Sequence, residues 1–137
     1  MNRGHLLLAF TLLLAACSRD QGISRTLARH VDSNSATVDL AAVGPSSWER
    51  VCFFGPYSSN QRVEKILGFR WDADGKSSIG RNDGINLLVF VRHQEVVAYT
   101  EHPRNKGDVV KLSSRCLSRS HAELTRQVES GGWVQLV

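Results

Sequence analysis

The sequence contains no membrane-spanning hydrophobic run, no basic run and no familiar catalytic motif. Its longest apolar stretch, residues 6–16, is about half of the roughly 20 residues that a bilayer-spanning helix requires. A phosphate-binding glycine loop, a serine nucleophile elbow and a metalloprotease helix motif are all missing. These absences argue against a permanent transmembrane helix and leave no catalytic residue or cofactor site to predict.

The composition is that of one small globular domain. Of the 137 residues, 42% are hydrophobic and 22% are charged. The formal net charge is +4, and with Arg3 set aside, the only charged residue before position 17, the remainder carries +3. This mild excess is spread along the chain, whereas a nucleic-acid-binding protein usually concentrates it in a stripe, so no nucleic-acid partner is expected.

The first seventeen residues have the pattern of an exported protein. A short polar start containing Arg3 precedes an almost wholly apolar segment that ends at Ala16 and has the length of a signal-peptide core. The residues Leu14-Ala15-Ala16-Cys17 then resemble the lipobox of bacterial lipoproteins. In that class the cysteine thiol receives a diacylglyceryl group, and a signal peptidase cuts before the cysteine.

This resemblance implies a lipid-anchored protein of the bacterial envelope. Residues 1–16 would be the signal peptide, and acyl chains such as palmitate on Cys17 would hold the protein to a membrane. Ser18 is compatible with the outer membrane, facing the periplasm. The polar segment 17–35 is expected to be a loosely ordered membrane tether, although Ile23, Leu27 and Val31 are spaced for a short docking helix.

The two remaining cysteines are expected to form a disulfide. Cys52 and Cys116 are an even number in an oxidising compartment. A metal-binding pair or a reactive thiol is the alternative, but no CxxC or Cys/His cluster surrounds either residue.

The hydrophobic pattern predicts an α+β domain over residues 36–137, a mainly antiparallel β-sheet with one packed helix. A helix is expected to begin between Ser58 and Asn60 and to end near Leu67, before Gly68. Strands are expected at residues 36–40, 50–54, 69–71, 85–91, 96–100 and 109–112, with residues 85–91 as a central strand. The last twenty residues fit either a helix or a hairpin, and Gly131-Gly132 favours a closing hairpin.

The polar residues offer few candidates for chemistry. The histidines His93, His102 and His121 are expected at the surface rather than around a metal. An acid–base group of Asp83, Glu101 and His102 is an alternative without any spacing to support it. The turn at 72–76 lacks the later ligands of a calcium loop. A basic cluster, Arg104, Lys106 and Lys111, is expected to be a solvated rim, or to meet an acidic partner or lipid headgroups.

Aromatic residues concentrate between Trp48 and Trp71, and most of them are expected in the core. Residues 54–57 end a strand where the chain turns, so a partner-binding patch that includes Tyr57, Arg70 and Trp71 is the best site prediction. Segments 48–57, 67–71 and 83–91 together are similar to small bacterial lipoproteins and secreted proteins of unassigned function. That resemblance covers about residues 48–112 and transfers no catalytic residue.

The leading hypothesis is a non-enzymatic envelope protein that binds another macromolecule, for example an inhibitor or immunity protein. An enzyme or small-molecule binder is the alternative, and a deep pocket shared by Asp83, His102 or Arg70 would favour it. A structural component of an envelope assembly is a third possibility, which an exposed strand edge would favour.

Overall fold

Residues 19–137 are described by the computed structural model. The predicted signal peptide and the lipidation site Cys17 lie outside this range. Within it, the chain forms seven β-strands in two antiparallel sheets, with helices packed against them. This confirms the predicted α+β class and the single small domain. In the described range, no helix is both long enough and apolar enough to cross a membrane.

The larger sheet has four strands and the smaller sheet three. The helices are α1 (Gln21–Asp32), α2 (Asn60–Leu67) and the single turn α3 (Ala73–Lys76). The strands are β1 (Thr37–Asp39), β2 (Arg50–Phe54), β3 (Ile85–Arg92), β4 (Glu95–Pro103), β5 (Arg115–Ser118), β6 (Glu123–Val128) and β7 (Val134–Leu136). Strand order is β4-β3-β2-β5 in the larger sheet and β1-β6-β7 in the smaller one.

Strand β3 lies inside the larger sheet and is buried on both faces, as its nearly continuous apolar run predicts. Leu88 and Phe90 enter the core that includes α1 and the smaller sheet. Leu87, Val89 and Val91 enter a second core beneath α2. Successive strand residues point to opposite faces, so a strand covered on both sides has no polar alternation.

Helix α1 corrects the expectation of a tether over residues 17–35. Asp20 caps the helix, and Ile23, Leu27 and Val31 are all buried in the core. Their four-residue spacing places them on one side of the helix, which covers apolar surface that the sheets leave open. Residues 21–32 therefore belong to the folded domain, which begins well before the predicted boundary at residue 36.

Helix α2 has the predicted boundaries because both of its ends are capped. The Ser59 hydroxyl accepts a hydrogen bond from the Arg62 backbone N–H at 3.2 Å. Gly68 closes the helix in the left-handed region, with φ of 83°, where a side chain would be strained. Val63 and Leu67 face the second core.

The predicted disulfide is present. Cys52 on β2 and Cys116 on β5 are direct partners in the strand register, and they form a disulfide with a Cα–Cα distance of 4.0 Å. The C-terminal segment forms the expected hairpin, with β6 and β7 paired antiparallel.

Two expected strands, 69–71 and 109–112, are absent. Residues 69–71 join α2 to α3 without pairing to a strand. Residues 110–112 form a 3₁₀ turn, and the Asp108 carboxylate accepts a hydrogen bond from the Val110 N–H at the start of this turn. That local bond competes with strand pairing.

Candidate functional site

The predicted partner-binding residues do not form one patch. Tyr57 is 64% exposed in the turn after β2, with a positive φ of 63°. Arg70 and Trp71 line a shallow depression of about 240 Å³ beside the β3–β4 turn, and Tyr57 is not part of its lining. Trp71 is only 8% exposed, and its ring packs edge-on against Tyr99 at 5.2 Å between centroids. A partner-binding role for these residues stays a prediction.

His102 is fully buried rather than exposed at the surface, so that expectation is wrong. Its Nε2 lies 3.0 Å from the Lys106 carbonyl and its Nδ1 lies 2.9 Å from the Ser24 hydroxyl. Burial lowers the pKa of His102. Its hydrogen bonds to the backbone and the charge of Asp108 act in the opposite direction, but burial has the larger effect. The neutral ring therefore donates from Nε2 and accepts from Ser24, which fastens α1 to β4.

Glu101 is also engaged inside the fold. One carboxylate oxygen accepts from the Ser77 hydroxyl at 2.9 Å and the Ser78 N–H at 2.7 Å, and the other accepts from Arg19 at 2.7 Å. Burial alone would raise the pKa of Glu101, but these hydrogen bonds and the Arg19 charge outweigh it and lower the pKa. The Glu101 carboxylate therefore has a structural role, in which it joins Ser77, Ser78 and Arg19.

Asp108 forms a third internal cluster, and it corrects the expectation that Arg104 belongs to a solvated rim. The Arg104 guanidinium donates from Nε at 3.0 Å to the buried Asp108 carboxylate, and its Nη2 lies 2.9 Å away. Asn86 and the Trp133 indole N–H donate to the same carboxylate. These bonds hold the pKa of Asp108 below its ordinary value although burial opposes them. Lys106 pairs loosely with Asp32, at 3.9 Å.

The structure does not bring Asp83, Glu101 and His102 together as an acid–base group. Asp83 is exposed, and its backbone carbonyl accepts from Arg104. His102 has both ring nitrogens bonded, and Arg70 lies in a depression that neither His102 nor Asp83 lines. Among residues 19–137, no group of three or more histidine, cysteine, aspartate or glutamate side chains is placed to hold a metal ion.

A groove of about 780 Å³ lies at the end of edge strand β5. We refer to it as the Arg119 groove. Four chain segments build it: the end of β1 and the following turn, the approach to β2, the turn after β5, and the start of β6. Its lining residues are Asp39, Ala41, Trp48, Glu49, Ser118, Arg119, Ser120, Ala122 and Glu123.

The floor of the Arg119 groove is held rigidly. The Arg119 guanidinium carbon lies 5.1 Å from the centre of the Trp48 ring. Its nitrogens donate to the carbonyls of Ala41 at 3.0 Å, Pro45 at 3.2 Å and Trp48 at 3.4 Å. Arg119 therefore joins the turn after β1 to the segment that leads into β2. Its guanidinium donates hydrogen bonds to neutral carbonyls and forms no ion pair with a described carboxylate.

The rim of the groove carries exposed carboxylates. Asp39, Glu49 and Glu123 are all exposed, and Arg119 is the cationic side chain in the lining. Glu49 lies 3.7 Å from the ring of His93, an exposed pair that contributes little. Three carboxylates around one guanidinium make the site net negative, so it favours a cationic ligand.

A serine–histidine contact near the groove does not complete a catalytic triad. The hydroxyls of Ser118 and Ser120 each lie 3.0 Å from Nδ1 of His121. A serine hydrolase also needs an acid that orients the histidine from its other nitrogen. In residues 19–137 no carboxylate is hydrogen-bonded to His121. The contact therefore orders the turn after β5.

No family model, curated protein or solved structure matches the chain. Sequence reasoning missed the Arg119 groove because its charged residues are distant in sequence. Asp39, Glu49, Arg119 and Glu123 share no motif spacing, and they meet only through the pairing of β2 with β5 and of β1 with β6.

Proposed function

We propose that this protein is a lipid-anchored envelope protein that binds a basic segment of another protein in the Arg119 groove. The observation that carries the proposal is an open, acid-rimmed concavity on a floor immobilised by Arg119 and Trp48. A preformed floor reduces the ordering cost of binding. Exposed carboxylates at the rim attract a cationic partner and discriminate against an acidic one.

The envelope location rests on two features of the chain. Residues 14–17 resemble a lipobox, which supports lipidation at Cys17, a residue outside the described range. The Cys52–Cys116 disulfide is the covalent bond expected of a small exported domain. Together they support a periplasm-facing protein held to the outer membrane.

The shape of the groove favours a macromolecule over a small metabolite. The site is broad and open at the surface, and its carboxylates are distributed along the rim. Small-molecule sites are usually enclosed and converge a few polar groups on one point. An inhibitor or immunity protein that neutralises a basic toxin is one form of this function.

The binding test is affinity capture from envelope extracts with three forms of the protein. The wild type is compared with a groove variant, Glu49→Gln/Glu123→Gln, and with a control of equal charge, Asp83→Asn/Glu95→Gln. The control residues are exposed and lie outside the groove. We expect one partner to be recovered with the wild type and the control but severalfold less with the groove variant, and to be released at high salt.

Two outcomes would contradict the binding proposal. One is the reproducible absence of any captured protein, and the other is equal recovery with all three forms. The lipid assignment has its own test: Cys17→Ala should release a soluble form. If that variant still fractionated with membranes, the anchor would be wrong while the groove stayed open to its own test.

A further inference from the structure

The two edges of the larger sheet differ in what covers them. At the β4 edge, Arg19 forms a parallel bridge with Tyr99, and the Asp20 N–H donates to the Tyr99 carbonyl at 2.9 Å. At the other edge, β5 pairs with β2 alone, and no further strand of the described chain is bonded to it. The outer side of β5, which we call the β5 edge, therefore offers backbone groups for pairing with another chain.

The backbone groups of two residues point outward at the β5 edge. Arg119 continues the ladder with β2 by donating its N–H to the Glu49 carbonyl at 2.8 Å. Because successive residues of a strand bond to alternate sides, the N–H and carbonyl groups of Cys116 and Ser118 point away from β2. The Cα–Cα distance of 4.0 Å between Cys52 and Cys116 fits such a non-hydrogen-bonded pair. No backbone hydrogen bond elsewhere in the described chain uses these outward groups.

The side chains of β5 belong to both cores and are incompletely covered. Leu117 packs against the core that includes α1, and Cys116 packs against the core beneath α2. Both residues are partly exposed. An added strand with β-branched side chains would cover this remaining apolar surface on the two faces of the sheet.

The β5 edge leads directly into the Arg119 groove. Ser118, the last residue of β5, lines the groove, and the exposed carboxylates of Glu49 and Glu123 lie at its rim. A segment paired with β5 would therefore continue into the acidic groove without a change of direction.

The opposite end of β5 disfavours basic side chains. Arg115 is exposed there, and the Arg62 guanidinium donates to the Ser114 hydroxyl at 3.1 Å, just before the strand. Glu64, on the same helix as Arg62, accepts from the Trp71 N–H instead. Like charges in proximity repel, so a bound segment should carry its basic residues only at the groove end.

We propose that the bound segment is an extended chain that joins the larger sheet as an additional strand, antiparallel to β5, and places its basic residues in the Arg119 groove. This inference rests on the proposed function and specifies how the partner is held. Antiparallel pairing is the more stable arrangement and is found throughout this sheet. The segment then begins in the groove, so its basic residues come first and uncharged strand-forming residues follow. Main-chain hydrogen bonds supply affinity, and the groove selects the basic residues.

The substitution Ser118→Pro tests the pairing because it removes one outward donor and spares the bonds to β2. Ser118 has a φ of −67°, which proline adopts without strain. The matched control, Ser118→Ala, removes the same hydroxyl and its contact with His121 but keeps the N–H. The two variants should have equal urea midpoints.

The probe is a fluorescently labelled peptide with blocked ends, Arg-Lys-Thr-Val-Thr-Val-Thr, titrated with the full-length protein in detergent and followed by anisotropy. Two further peptides are N-methylated, one at both valines and the other at the two threonines that precede them. Alternate N–H groups of a strand point to opposite sides, so only one of these sets faces β5.

We expect Ser118→Pro to bind the unmodified peptide about fivefold more weakly than Ser118→Ala, the effect of roughly one hydrogen bond. With the wild type, one N-methylated set should weaken binding by more than about tenfold, while the other set has little effect. The N-methyl comparison uses the wild-type protein, so it decides the question even if Ser118→Pro fails to fold.

Equal affinities of the two Ser118 variants, equal effects of the two N-methylated sets, or no binding of the probe to the wild type would overturn strand addition. If Glu49→Gln/Glu123→Gln weakens binding while both Ser118 variants bind alike, the groove proposal stands and only strand addition fails. If Ser118→Pro weakens binding and Glu49→Gln/Glu123→Gln does not, the groove proposal fails instead, and with it the placement of the basic residues.

Discussion

The substitution Asp108→Asn should destabilise the protein strongly because it neutralises one partner of a buried ion pair. Both carboxylate oxygens of Asp108 are occupied. Oδ1 accepts from Asn86 at 2.9 Å and from the Val110 N–H at 3.0 Å, and Oδ2 accepts from Arg104 at 3.0 Å and Trp133 at 3.1 Å. In asparagine an NH₂ group replaces one of the two oxygens. In either orientation of the amide, this NH₂ group would face N–H donors that now bond to a carboxylate oxygen.

The magnitude follows from burial. The Asp108 side chain is fully buried, whereas that of Arg104 is 29% exposed. Breaking a buried pair costs about 3–5 kcal/mol, and partial hydration of the arginine reduces that figure. We therefore expect a loss of about 3 kcal/mol in the free energy of unfolding, a large share of the roughly 5–15 kcal/mol typical of a domain.

Urea unfolding of the oxidised protein, followed by far-ultraviolet circular dichroism, measures this loss. The matched control is Glu129→Gln, which breaks the pair between Lys111 and Glu129, whose side chains are 46% and 44% exposed. Exposed pairs contribute at most about 1 kcal/mol, so the control should lose less than about 0.5 kcal/mol. A loss below about 1 kcal/mol for Asp108→Asn, or equal losses in both variants, would refute the reasoning.

Three further predictions concern the disulfide, a histidine and a helix. Reducing Cys52–Cys116, which are 64 residues apart, should cost about 4 kcal/mol and lower the urea midpoint; an unchanged midpoint would contradict this. The lowered pKa of His102 means that the unfolded chain takes up a proton first as pH falls below about 6.5. Stability should then decline by up to about 1.4 kcal/mol per pH unit until the folded pKa is reached, and His102→Gln should remove that slope. Leu27→Ala should cost about 3 kcal/mol in urea unfolding and the exposed Arg29→Ala less than about 0.5 kcal/mol; a small effect at Leu27 would mean that α1 is not part of the stable core.

The elements predicted correctly are those whose signal is local. The run from residue 85 to 91 is apolar apart from Asn86, and Ser59 and Gly68 cap the two ends of α2, so each segment specifies its own structure. Strand β5 has no such signal. It is held in the sheet by its register with β2, including the Cys52–Cys116 bond, and this pairing spans more than sixty residues of chain.

The roles of polar residues were less predictable because they depend on which partner the fold supplies. Nothing near residue 104 in the sequence distinguishes Arg104, which meets a buried carboxylate, from Lys111, which stays at the surface. His102 follows the same rule, since Ser24 reaches it only because α1 packs on β4. The candidate groove is an extreme case, because each charged residue comes from a different segment.

The docking of α1 ties the proposed anchor to the proposed binding site. Arg19 enters at the β4 edge of the larger sheet, and the Arg119 groove lies at the β5 edge. The four strands of the larger sheet have three spacings of about 4.8 Å between them. The groove therefore begins roughly 14 Å across the sheet from Arg19. A long tether would let the groove face any direction, including the bilayer. With residues 19–32 fixed to the core, the proposed anchor would hold the membrane at the β4 edge, and the groove would then lie on the opposite side, open to partners in the aqueous compartment.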